Sequence, residues 1–181
     1  MTAPPTTREE NGRLFIDCKF ATFTGRYDMF PGCFETVDPG AFEGQLEGDI
    51  RCLVDHVTHL VLGRTVAGTL KLWLEADGLH GTVEINPDDT DAMNLYARVK
   101  RGDVSQCSFG FEILEEREET TPTGDVHFIL VRVKLYEVSI VTFPAYEDTS
   151  AASRKRDVAA IRKRQADAWK TQMKARIKHD A

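Results

Sequence analysis

Three polar residues stand in apolar, strand-like surroundings: His56 in "CLVDHVTH", Ser108 in "QCSFGF" and Glu137 in "KLYEVSIV". Their types are those of a general base, a nucleophile and an acid that orients the base. A serine hydroxyl is a poor nucleophile until an imidazole accepts its proton, and the imidazole works best when a third group fixes its tautomer. The spacing is 52 residues from His56 to Ser108 and 29 from Ser108 to Glu137. It carries no information alone, because such triads are recognised by geometry and not by order. By type and context the same residues also read as core polar groups satisfied by their neighbours, with Glu137 a plain edge-strand glutamate.

Other chemistry competes for these positions. Cys52, His56 and His59 form C-x3-H-x2-H, ligand types that zinc accepts. No further Cys or His follows nearby, and a strand-to-loop context gives no reason for convergence, so no metal is expected. Cys107 beside Ser108 suggests a thiol nucleophile. Adjacent side chains on a strand point to opposite faces, so only one of the two can meet His56, and Cys107 reads as a small buried hydrophobe. Ser105 is a second hydroxyl, placed at a loop end. His80 and His127 read as exposed polar residues. Cys18, Cys33, Cys52 and Cys107 lie far apart without a framework pattern, which implies reduced thiols in a reducing compartment.

The elements that must hold these residues are mostly strands. "RLFIDCKFATF" alternates in the manner of a strand. "DPGAF" reads as a turn leading into a short helix through about Leu46. "DIRCLVDHVTHLVLGRTV" reads as a strand, a loop carrying two histidines, and a return. "TLKLWLEADGLHGTVEIN" is a hairpin turning at "ADG". "PDDTDAMNLYARVKRG" has acidic residues at its start and Lys100, Arg101 and Gly102 at its end, the signature of a helix. The strand of Ser108 follows, and "TPTGD" turns into "VHFILVRVKLYEVSIVTF", one bent strand or two consecutive ones. The expected fold is mainly β with helices (α+β): an antiparallel β-body closing into a barrel, with a few short helices and a helical tail.

Charge divides the chain. Of its 23 Lys/Arg and 29 Asp/Glu, ten basic and three acidic residues lie from Ser150 onward, a balance of +7 there and −13 before it. Such asymmetry marks a functional tail. The reading is a flexible N-terminus over 1–13, one domain over 14–149 and a basic helical tail over 150–181. In the tail Val158, Ile161, Trp169, Met173 and Ile177 recur at helical spacing, either packing on the body or docking acidic segments. The acidic body argues against a nucleic-acid face. No apolar run reaches the roughly 20 residues of a membrane span, and the N-terminus lacks the pattern of a signal peptide.

Taken in order, "DPGAF", "LVDHVTHLVLGRT", "ADGLHGTVEI", "RVKRGDVSQCSFGFEI" and "VKLYEVSIVTFPAYEDTSA" resemble the tailed-phage prohead (capsid maturation) protease family, from about Phe20 to Ala151. The most specific parts are the helix–"RGDV"–"SFGF" segment and "YEVSIVTFPAY". The resemblance implies a fold similar to the herpesvirus assemblin proteases. It also implies a serine endopeptidase without cofactor, with Ser108 matching the nucleophile, His56 the base and Glu137 the third member. The family often has an acidic residue directly after the histidine. Here Val57 follows and Asp55 precedes, which leaves Asp55 and His59 as other partners for His56.

The same resemblance implies substrates and setting. The enzyme would act in the host cytoplasm, inside the assembling procapsid with its portal and shell. It would cleave scaffold or the scaffolding segment of the major capsid protein, and itself near "TSAAS". A dimer follows by analogy with the assemblins. Two further readings are an inactive protease-like assembly module and a β-barrel that binds a small ligand.

Overall fold

The structure, a computed structural model, describes residues 3–143, 158–164, 166, 167 and 170. Its strands are β1 (Thr6–Glu10), β2 (Arg13–Thr22), β3 (Tyr27–Phe30), β4 (Cys33–Val37), β5 (Arg51–Val54), β6 (Val57–Arg64), β7 (Leu70–Glu75), β8 (Gly78–Ile85), β9 (Gln106–Thr120) and β10 (Val126–Val141), with helix α1 (Thr90–Arg101) before β9. The chain is mainly β, as its alternation implies.

Two sheets organise the strands. One has the order β1-β2-β8-β7 and is antiparallel throughout. The other centres on β10, which has β9 along one side and, on the other, β4 for its first half and β5 for its second. Both the β10–β4 and β10–β5 pairings are parallel, a departure from the antiparallel body expected. The expected closed barrel is also corrected. Among the described residues β9 pairs with β10 alone, so the strands form two sheets instead of one closed ring.

Buried side chains from both sheets share one core. Ile16, Phe20, Leu79 and Val83 come from the first sheet, Val133, Val138 and Ile140 from β10, and Leu95 and Val99 from α1. This shared core explains the long apolar run of β10, which neighbours cover on both edges. A second, smaller cluster joins Cys33, Val126 and Phe128 to Val158 and Ile161. Those last two belong to the helical residues 158–164 of the basic tail. Trp169, Met173, Ile177 and the "TSAAS" stretch lie outside the described residues.

Helix α1 aims the chain at Ser108. The Asp89 carboxylate accepts from the Asp91 and Ala92 amides at 2.9 and 3.2 Å, satisfying donors that the first turn leaves open. At the far end Gly102 has φ +88°, and the amides of Gly102 and Asp103 donate to the carbonyls of Val99 and Arg98. This is a Schellman stop, which needs a left-handed residue and so a glycine.

Two other expectations change. The stretch after "DPG" forms no α-helix. Its bonds run from Ala41 to Asp38, Glu43 to Gly40 and Gln45 to Phe42, each three residues back. Gly44, at φ +70°, cannot continue a right-handed helix. Residues 6–10, inside the stretch read as a flexible N-terminus, form β1 against β2.

Candidate active site

The loop expected to carry two histidines is only two residues long. Val54 pairs with Val57, so Asp55 and His56 alone turn the chain, at φ +48° and +60°, while His59 lies exposed on β6. Positive φ at both positions matches the twist of a two-residue hairpin, but it is costly for residues with a Cβ. The turn persists because β10 holds it. The Asp55 amide donates to the Ile140 carbonyl (3.1 Å) and the His56 amide to Ser139 Oγ (3.2 Å). The Asp55 carboxylate in turn accepts from Thr142 N and Oγ1 at 2.6 and 3.2 Å.

That anchoring presents the imidazole to Glu137. His56 Nδ1 lies 2.5 Å from Glu137 Oε1, and the two side chains are 26% and 15% exposed. A carboxylate only accepts hydrogen bonds, so Nδ1 is the donor here, and in the neutral form of the ring the lone pair lies on Nε2. The other carboxylate oxygen, Oε2, accepts from Ser139 Oγ at 2.6 Å. Asp55, engaged with Thr142, is not the group on the imidazole. Nor is Glu137 on an edge, since β10 is the central strand of its sheet.

Register brings in Ser108. On the β9–β10 ladder Ser108 stands opposite Ser139, and Gly110 opposite Glu137. Directly opposed residues share a face, as do residues two apart on one strand. Ser108, Gly110, Glu137 and Ser139 therefore occupy one face, and it is the face closed by the His56 turn. The alternate residues of β9 face the core: Cys107 is buried beside Cys18, and Phe109 stacks on Phe111 at 4.8 Å and meets Phe42 edge-on. "CSFGF" thus splits into an apolar side and a site side.

The rival positions go elsewhere. All four cysteines are buried. Cys52 lies in the core, where burial pushes its thiol well above the ordinary range, and His59 points to solvent. Ser105 is exposed ahead of β9. His80 and His127, expected as exposed, are half-buried instead. His80 stacks on Trp73 and bonds Asp77 at 2.8 Å, while His127 stacks on Phe34 and bonds Thr36 at 2.8 Å. Among the described residues Glu75, Asp77 and His80 lie close enough to share a cation. Lys19, however, already pairs with Asp77 and helps hold its carboxyl down at about 2.

Two residues of the arrangement escaped the sequence reading, Ser139 and Gly110 as neighbours of Glu137. A signal for the first was present, since "EVS" repeats a polar residue at strand period in an apolar run. For the second the only sign was a glycine inside a strand, which marks close approach of another group.

A histidine bonded through Nδ1 to a carboxylate, with a serine on the same face of a β scaffold, is the residue set of a serine hydrolase. The chain belongs to the caudovirus prohead serine protease family, whose model matches residues 4–164. It is 27% identical over 142 residues to the prohead protease of Enterobacteria phage HK97, an alignment covering 77% of this chain and 62% of that protein. The chain therefore spans less than two thirds of that relative's length. No solved structure matches it.

Proposed function

We propose that this protein is the serine endopeptidase of capsid maturation in a tailed phage. Its substrate is a scaffold or the scaffolding segment of the major capsid protein, together with its own chain, inside the procapsid in the host. The observation that supports this most directly is the His56–Glu137 bond on the face that carries Ser108, in a member of the prohead protease family.

In this reading Ser108 Oγ attacks the substrate carbonyl carbon while His56 Nε2 takes its proton. The tetrahedral intermediate collapses as Nε2 passes that proton to the leaving amine. Water, deprotonated by the same nitrogen, then attacks the acyl carbon, and Nε2 returns that proton to Ser108 Oγ as the acid product leaves. Glu137 keeps the proton of the neutral imidazole on Nδ1 and stabilises the imidazolium formed in each half-reaction. Backbone N–H groups stabilise the oxyanion.

The test is co-expression with the capsid protein of the same phage, comparing wild type, Ser108→Ala and His56→Ala. Wild type alone should trim the capsid protein and itself. Equal trimming in all three rejects the reading.

A further inference from the structure

We infer that Ser139 is a positioning residue of this site, a fourth member that acts through Glu137 and His56. The inference rests on the protease reading above. Ser139 is the one fully buried polar residue among the described side chains, at 0% exposure. Burying a hydroxyl is unfavourable unless both its donor and acceptor capacity are used. Here both are used, and both on the site. The hydroxyl proton goes to Glu137 Oε2 (2.6 Å), and the oxygen accepts the His56 amide (3.2 Å).

These two bonds do different work. A carboxylate held through Oε1 alone can rotate about its last bond, and the bond to Oε2 removes that freedom, leaving Oε1 aimed at Nδ1. The bond from the His56 amide fixes the backbone of a residue at φ +60°, a conformation that histidine adopts only under constraint. One hydroxyl thus sets the carboxylate and the imidazole relative to each other. Valine or alanine would fill the same place in the strand and supply neither bond. Because Ser139 stands opposite Ser108 on the ladder, the same residue also ties the His56–Glu137 pair to the strand of the nucleophile.

A fluorophosphonate probe, which reacts with an activated serine, tests this on the full-length protein. Ser139→Ala should slow labelling of Ser108 by about tenfold or more, the effect expected when a hydrogen bond to a charged group is lost. In a Glu137→Gln background the same change should alter the rate less than about twofold, because residues acting as one unit are not additive. The Nδ1–H proton resonance of His56 should also move in Ser139→Ala, which a general loss of stability would not cause. Should Ser139→Ala fold poorly, Ser139→Cys carries the same comparison with a weaker donor in a similar volume, and falls between wild type and alanine. An unchanged labelling rate, or equal slowing in both backgrounds, overturns the inference while leaving the protease reading intact. Wild type that does not label at Ser108 removes both.

Discussion

A Cβ at Gly110 would lie 2.2 Å from Oε1 of Glu137 and 3.0 Å from its Cδ. The missing side chain on β9 is the space in which the Glu137 carboxylate lies on its way to His56. Any other residue there must displace that carboxylate. The displaced group is the far end of a flexible side chain, so the strand pairing need not break. Gly110→Ala should therefore fold with an unchanged circular dichroism spectrum yet lose about a hundredfold or more in cleavage rate, the scale of losing the group that orients a catalytic imidazole. A folded and fully active variant would mean that the Glu137 bond is dispensable.

Glu137→Gln separates charge from shape. The amide fills the same volume but can present its NH₂ to Nδ1, which moves the imidazole proton to Nε2 and removes the lone pair that the proposed mechanism uses as its base. The cleavage rate should fall about a thousandfold or more, with the melting temperature close to wild type. A loss below tenfold would place the orienting role elsewhere.

The sequence showed the outline of this site and hid its coupling. Strand period and apolar context singled out His56, Ser108 and Glu137, because polar residues in such runs are few. It could not show that "DH" is a two-residue turn, since histidine at positive φ depends on bonds from β10, more than eighty residues away. The parallel pairing of β10 with β4 and β5 was hidden for the same reason: alternation reveals a strand but not its neighbours. "DPGAF" misled by its run of helix-compatible residues, which glycines divide into separate turns. His127 looked exposed because nothing local foretells stacking on Phe34.

Asp55 supplies a stability test of the turn. Asp55→Ala removes the two bonds from Thr142 and puts alanine at φ +48°. Aspartate tolerates that region better than alanine does. The variant should lose about 1–3 kcal/mol in urea unfolding. Asp55→Gly, which relieves the backbone but also lacks the carboxylate, should lose less. If alanine and glycine are equally stable, backbone strain contributes nothing at this turn.

His127 sets a pH dependence that has nothing to do with catalysis. Its ring stacks on Phe34 at 4.4 Å, and Arg26 lies over that same Phe34 at 4.2 Å. Burial, chiefly, with Arg117 and Arg26 adding to it, lowers its pKa below the usual 6.5, against an opposing pull from Glu119. The folded state then takes up this proton at lower pH than the unfolded chain does. Between the two pKa values the unfolded chain binds more protons, so stability rises with pH. The contribution is complete above about pH 6.5 and is lost as pH falls through the folded value. Melting temperatures from about pH 7.5 down to pH 5 should fall more steeply for wild type than for His127→Phe, which keeps a ring against Phe34 and cannot titrate. Parallel curves would show that His127 carries no such linkage.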